Sequence, residues 1–396
     1  RHDNGQRMYR APMTAVRPVR LNRRAGLTAG ASLVGLSTPG TAFAVGEPAS
    51  MNRQDHAPGT APPHHPGSQV ASRLRDLADA RGIRIGAAVA SRPLVAEPAY
   101  GDVLAREFSS VTCENVMKPG FLQPSPGRFD FQAADAIVAF ATAHAMTIRG
   151  HTLAWHNQNP PWLERVAASG ENAGAALRDH ITGVLTHYRN DGPVPVPAWD
   201  VVNEAITDTG ALRDTLWARA LGPGYLADLF RWANEADPDA RLFYNDYGAE
   251  GMGRKADAVY ELLRGLVQDG VPVHGVGLQM HVGIGARQSP SRPDLAANIA
   301  RLRALGLEVH VTEMDVKLQT GTGTDDERLA EQAQVYADIL GTCIEAGVTS
   351  FTFWGFTDAH SWIPGFTGKP DGALPFDTTY APKPAYHALT RVLAGG

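Results

Sequence analysis

From residue 69 onward, short apolar runs alternate with stretches of helical periodicity, and this alternation restricts the fold more tightly than any other feature of the chain. The runs predict strands over 83–89, 108–112, 147–153, 198–202, 241–244, 273–278, 307–312 and 349–353. The periodic stretches predict helices over 70–81, 133–145, 173–188, 225–235, 254–269, 295–305, 327–346 and 385–393. Eight strands, each followed by a helix or a long loop, make an α/β chain whose natural closure is a parallel (β/α)8 TIM barrel, a single domain over 69–396. An open doubly wound sheet is the competing architecture. It is weakened because no Gly-rich phosphate turn follows the first strand.

The polar residues fall where such a barrel keeps its chemistry. Glu114, His151, Asn203, Glu204, Tyr247, Gln279, His281, Glu313 and Trp354 stand at or just past the C-terminal ends of predicted strands. On that rim, side chains remote in sequence converge. In WDVVNEA an apolar strand delivers Asn203 and Glu204 side by side, and in EVHVTEMDV another strand ends in Glu313. Taken singly, a strand-end glutamate reads as an ion-pair partner or a solvated loop residue. An amide and a carboxyl together, with a second carboxylate nearby, read as machinery for breaking a glycosidic bond.

Strand alternation gives Gln279 and His281 a common face, and likewise Glu313 and Asp315. His281 is therefore expected to meet Glu313 through one nitrogen and Asp315 through the other, fixing its tautomer and charge. Trp155, Trp354 and Trp362 follow strand ends among polar residues, where a flat indole packs on the apolar face of a pyranose. Glu114, Asn115 and Lys118 form a polar group able to grip several hydroxyls, although a surface ion pair of Glu114 with Lys118 is the plainer reading. Tyr247 is either a stacking surface or part of the barrel wall. His151, His156, His281, His310 and His360 lack HExxH-like spacing, so neither a metal nor another cofactor is expected. No Gly-x-Ser-x-Gly elbow appears near a triad.

The first 68 residues differ in kind. Arg17, Arg20, Arg23 and Arg24 precede a weakly apolar, Gly/Ala-rich run over 25–42 that closes in Ala42-Phe43-Ala44. Residues 1–44 thus read as a secretory leader cleaved after Ala44, with a disordered basic tail as the alternative. The pair Arg23-Arg24 suggests twin-arginine export; NRRAGL is a loose version of that signal, and Sec export stays open. Residues 45–68, rich in Pro, Ala and His, read as a disordered spacer whose His56, His64 and His65 complete no metal site. Residues 45–396 keep 29 of the 36 basic and 40 of the 41 acidic side chains, a net charge of −11. Such a surface repels nucleic acid and anionic membrane and suits a neutral partner outside the cell. Cys113 is expected on the barrel's catalytic rim and Cys343 on its outer ring, too far apart for a disulfide.

Seven segments in order carry a family resemblance: VTCENVMKPGFLQPSPGRFDF, RGHTLAWHNQNPPWL, WDVVNEA, YNDYG, GVGLQMHV, VHVTEMDV and FTFWGFTDAHSWIPG. From about residue 70 to 393 the chain resembles the glycoside hydrolase family 10 endo-β-1,4-xylanases, of the actinobacterial secreted type. The resemblance implies a retaining double displacement on xylan, with Glu204 as acid/base and Glu313 as nucleophile. Glu204 must then be protonated near neutrality while Glu313 is ionised, supported by His281 and Asp315. It implies that Asn203 binds the sugar 2-hydroxyl. Glu114, Asn115, Lys118, His151, Trp155, Gln158, Gln279, Trp354 and Trp362 would line the glycone subsites, and Tyr247 would face the aglycone side. A monomer without an attached carbohydrate-binding module is expected. Cys113, Met280 and the loop over 365–373 depart from the family's usual residues. A β-1,4-glucan substrate and a non-catalytic sugar-binding barrel remain as alternatives.

Overall fold

The structure, a computed structural model, describes residues 73–396. The leader over 1–44, the spacer over 45–68 and the expected helix start at residue 70 lie outside the described residues. Nine strands are present among them: β1 (Arg84–Val89), β2 (Ser110–Cys113), β3 (Thr147–Ala154), β4 (Ala198–Asn203), β5 (Arg241–Asp246), β6 (Gly275–Leu278), β7 (His281–Gly283), β8 (Glu308–Lys317) and β9 (Ser350–Phe353). Eight of them form a closed parallel barrel in the order β6-β5-β4-β3-β2-β1-β9-β8, and β6 pairs with β8 to close the ring. The open sheet is thereby excluded. β7 lies outside the ring and pairs only with the far half of β8, His281 opposite Asp315.

Helices cover the outside and side chains fill the inside, so the barrel strands are buried along nearly their whole length, polar residues such as Arg149, Asp200 and His310 included. All of β2 and all of β6 are buried. Between the strands and the helical layer, where Trp199 meets Tyr188, a large ring packs on a glycine. Trp199 on β4 lies against Gly150 on β3, where an added Cβ would come 2.1 Å from the indole. The outer ring is held by amphipathic faces such as that of the helix Asp325–Glu345, which buries Tyr336, Ile339, Leu340 and Cys343. A reciprocal box between Thr324 and Glu327 caps that helix.

Several sequence expectations need correction. The strand bearing Glu313 does not stop at Thr312; β8 continues to Lys317 because β7 supplies it with a new partner beyond the barrel. Glu313 is therefore inside a strand, at an irregularity in the pairing with β9 between Val311 and Met314. Two unpredicted helices, Ser91–Ala96 and Pro98–Glu107, fill the first crossover. Pro98 sits at the start of its helix, where the missing N–H costs nothing. The single helix expected over 173–188 ends at Thr186 and continues as a wider π-helical turn, His187–Asp191.

Candidate active site

β4 brings Asn203 to its last position, and Glu204 follows in a left-handed conformation, φ 59°, that swings its carboxyl away from the strand direction. Both carboxyl oxygens are engaged. Trp155 Nε1 donates to Oε2 at 2.9 Å. Gln279 Nε2 and Asn203 Nδ2 donate to Oε1 at 3.0 and 3.2 Å.

Glu313 is buried. Asn245 Nδ2 donates to its Oε1 at 2.7 Å, and His281 Nε2 lies 3.1 Å from its Oε2. Asn245, one residue before the end of β5, pairs with Asn203, to whose Oδ1 the same amide nitrogen donates at 2.9 Å; Gln279 Nε2 donates to that oxygen at 3.2 Å. One amide network thus joins the two glutamates. Asn245 is itself oriented by Thr312, whose hydroxyl donates to its Oδ1 at 2.7 Å. It fits because β6 carries glycine at 277, where an added Cβ would lie 2.2 Å from Asn245 Oδ1.

His281 Nδ1 lies 2.8 Å from Asp315 Oδ2, so the ring sits between two carboxylates and both nitrogens donate. Burial works against its charge, but Asp315 and Glu313 outweigh burial and push its pKa up to about 10. Burial likewise works against a charged Glu313. The His281 hydrogen bond, with the charges of His151 and His281 and the Asn245 N–H, prevails and holds the carboxyl below the usual glutamate range. Trp362 Nε1 also donates to Asp315 Oδ2, at 2.8 Å, tying that indole to the same group.

The other predicted residues surround this centre. His151 on β3 contacts Asp200 Oδ2 through Nδ1 at 2.9 Å, and Arg149 secures Asp200 from below with Nε at 3.1 Å. Trp354 packs edge-on to His151. Lys118 is buried, with Nζ 5.1 Å from the Trp155 ring centroid and 5.7 Å from that of Trp354. The surface ion pair with Glu114 is not formed: Lys118 donates instead to Asn115 Oδ1 at 3.1 Å, and Asn115 donates to Glu114 Oε1 at 3.1 Å. Gln158, half-buried, donates to the same Asn115 oxygen at 3.4 Å. Tyr247 stands apart, with Lys255 Nζ 3.2 Å from its ring centroid and Arg213 donating to its hydroxyl at 3.2 Å. Arg213 also donates to the Glu204 carbonyl at 2.9 Å, linking Tyr247 to the Glu204 segment. Gln279 and His281 both enter the site, though not by simple alternation. Met280 between them is left-handed, φ 67°, and the chain leaves β6 and resumes as β7.

Sequence reasoning passed over Asn245, Asp200, Arg149 and Arg213. Asn245 was visible in principle, since YNDYG puts it at a strand end like the others. Asp200 and Arg149 meet only through the register of β3 on β4, which no local pattern encodes. Among the described residues, no group of three or more His, Cys, Asp or Glu is arranged to hold a metal ion.

A closed (β/α)8 barrel with two carboxyls joined across its C-terminal rim, ringed by indoles and amides, defines a glycoside hydrolase. The chain belongs to glycosyl hydrolase family 10, whose sequence profile matches residues 73–392. Endo-1,4-beta-xylanase B of Thermotoga neapolitana is 40% identical over 323 residues, covering 81% of this chain and 91% of that protein. Exoglucanase XynX of Acetivibrio thermocellus is 38% identical over 315 residues, covering 77% of this chain and 28% of that protein. The crystal structure of xylanase 10B from Thermotoga petrophila in complex with xylobiose superposes with a TM-score of 0.77 at 40% identity, covering 83% of this chain and 99% of that one.

Proposed function

We propose that this chain is an endo-1,4-β-xylanase that hydrolyses internal xylosidic bonds by a retaining double displacement. The observation that carries the reading is the amide network linking Glu204 and Glu313, with Glu313 held ionised beside His281. Glu313 attacks the anomeric carbon while the Glu204 proton passes to the departing glycosidic oxygen, so one C–O bond forms as another breaks. The Glu204 carboxylate then takes a proton from water, whose oxygen attacks the same carbon and expels Glu313. Asn203 and Gln279 each donate an N–H to Glu204 Oε1. Asn203 would bind the sugar 2-hydroxyl next to the scissile bond, an interaction that strengthens in the transition state. Glu114, Asn115, Lys118, His151, Trp155, Gln158, Trp354 and Trp362 form the glycone side of this proposal and Tyr247 the aglycone side.

The named activity of the Thermotoga relative favours xylan, whereas the Acetivibrio relative's name keeps β-1,4-glucan as a second reading. Release of reducing ends from soluble xylan beside carboxymethyl cellulose decides between them. Fast viscosity loss on xylan alone is expected; comparable rates on both would widen the substrate class, and silence on both would leave only sugar binding.

We also propose that the enzyme is exported and acts as a monomer, of the actinobacterial secreted kind that its motifs resemble. The basic run ending at Arg24, the Gly/Ala-rich stretch after it and Ala42-Phe43-Ala44 support export. N-terminal sequencing of secreted protein is expected to begin at Val45, and a start at or before Arg17 would contradict it.

A further inference from the structure

Glu250 is a buried carboxylate that the proposed chemistry does not use. It lies in the loop after β5, beyond Tyr247, and reaches the segment between β6 and β7. Its Oε1 accepts two backbone N–H groups, from Gly248 at 3.0 Å and from Met280 at 3.1 Å. Its own loop is pinned from the outer ring: Asn298, on the helix Arg292–Ala304, donates to the carbonyls of Ala249 at 2.7 Å and Glu250 at 3.1 Å. Arg301 in turn donates to Asn298 Oδ1 at 2.8 Å.

The position of Met280 gives this contact its meaning. Met280 is fully buried and left-handed, a conformation that disfavours side chains bearing a Cβ and is kept only where the surroundings impose it. One residue before it, Gln279 holds Glu204 and Asn203; one residue after it, His281 holds Glu313 and Asp315. The Met280 N–H, lacking a strand partner at this break, takes the Glu250 carboxylate instead. We infer that Glu250 is a positioning residue: by accepting the Met280 N–H it fixes the kink that aims Gln279 at the acid/base and His281 at the nucleophile together. What it supplies is an oxygen acceptor with two lone pairs, not a charge.

The inference rests on the assignment of Glu204 and Glu313 above, and the experiment compares Glu250→Ala and Glu250→Gln with the parent on soluble xylan. Glu250→Ala orphans the buried Met280 N–H, releases the exposed Gly248 N–H and frees the kink. The expected result is a fall in kcat of about tenfold or more with KM within about threefold. The acid limb of kcat/KM is expected to move to higher pH as His281 loosens from Glu313 and the glutamate becomes harder to ionise. Glu250→Gln keeps the acceptor and is expected to restore both the rate and the acid limb to near the parent's. A folded Glu250→Ala with parental rate and acid limb would overturn the inference, as would a Glu250→Gln that loses as much as Ala. Where Glu250→Ala does not fold, Glu250→Gln alone decides: parental behaviour supports an acceptor role, and a tenfold loss contradicts it. A parent inactive on xylan would instead sink the function, and an active parent with an indifferent Glu250→Ala only the positioning role.

Discussion

Asn245 Nδ2 donates to Glu313 Oε1 at 2.7 Å, from the end of a strand that the sequence marks only as one more polar terminus. The same nitrogen also donates to Asn203 Oδ1 at 2.9 Å, so one amide bridges the Asn203–Glu204 segment and Glu313. Neutral amides thus connect the two carboxyls and orient them without adding charge.

Replacing Glu313 by Gln removes the proposed nucleophile while preserving shape and most hydrogen bonding. Turnover of xylan is expected to fall by roughly a thousandfold or more, with an unchanged circular dichroism spectrum. Glu204→Ala is expected to be as damaging on xylan but milder on an aryl xyloside whose phenolate leaves without protonation. Equal losses on both substrates would contradict the acid role.

The acid limb of the pH–rate profile follows from His281. Glu313 must be ionised to attack, and His281 holds it below the usual carboxylate range. His281→Asn removes that charge, Glu313 becomes harder to ionise, and the acid limb of kcat/KM is expected to rise by about one pH unit. An unmoved limb would show that the two groups are not coupled. Stability changes as well. The His281 pKa goes from 6.5 to about 10 on folding, so its contribution is complete below about pH 6.5 and is lost as pH rises through about 10. Thermal melts of the parent should weaken across that window more steeply than those of His281→Asn.

Gly277→Ala tests whether Asn245 needs its space. The new methyl collides with the Asn245 carboxamide and with Thr312, whose side chain comes within 2.7 Å. A lost or bent bond to the Glu313 carboxylate costs about 1.5 to 3 kcal/mol, so a fall in kcat/KM of roughly ten- to hundredfold is expected. Near-normal kinetics would mean that Asn245 is not needed in this orientation.

Cys113 on β2 and Cys343 in the helix Asp325–Glu345 are both buried and unpaired. Burial raises both thiols, Cys343 to about 12, leaving almost no thiolate near neutrality. A thiol reagent is expected to find neither in the native protein and both after unfolding. Absence of thiol after unfolding would reveal a disulfide.

Much of this arrangement was legible because parallel barrels are simple to read. The strands carry apolar runs, so Glu114, Asn203 and Gln279 stand out just past their ends. The sequence places Glu313 at a strand end, whereas it lies inside β8, whose later residues pair with a strand too short to be seen in the sequence. The alternation that grouped Gln279 with His281 gave a common face, but a left-handed residue and a change of partner strand produce it. Asp200 and Arg149 were hidden because a buried charge inside an apolar strand becomes intelligible only once the neighbouring strand's register is known.

The central claim is that Glu313 forms a covalent intermediate which Glu204 then helps water to open. Proton NMR of the products released from a xylo-oligosaccharide, recorded before mutarotation, tests it most directly. Two inversions predict that the β-anomer appears first and decays slowly toward equilibrium. Initial appearance of the α-anomer would mean a single displacement by water, and would remove Glu313 from its role as nucleophile.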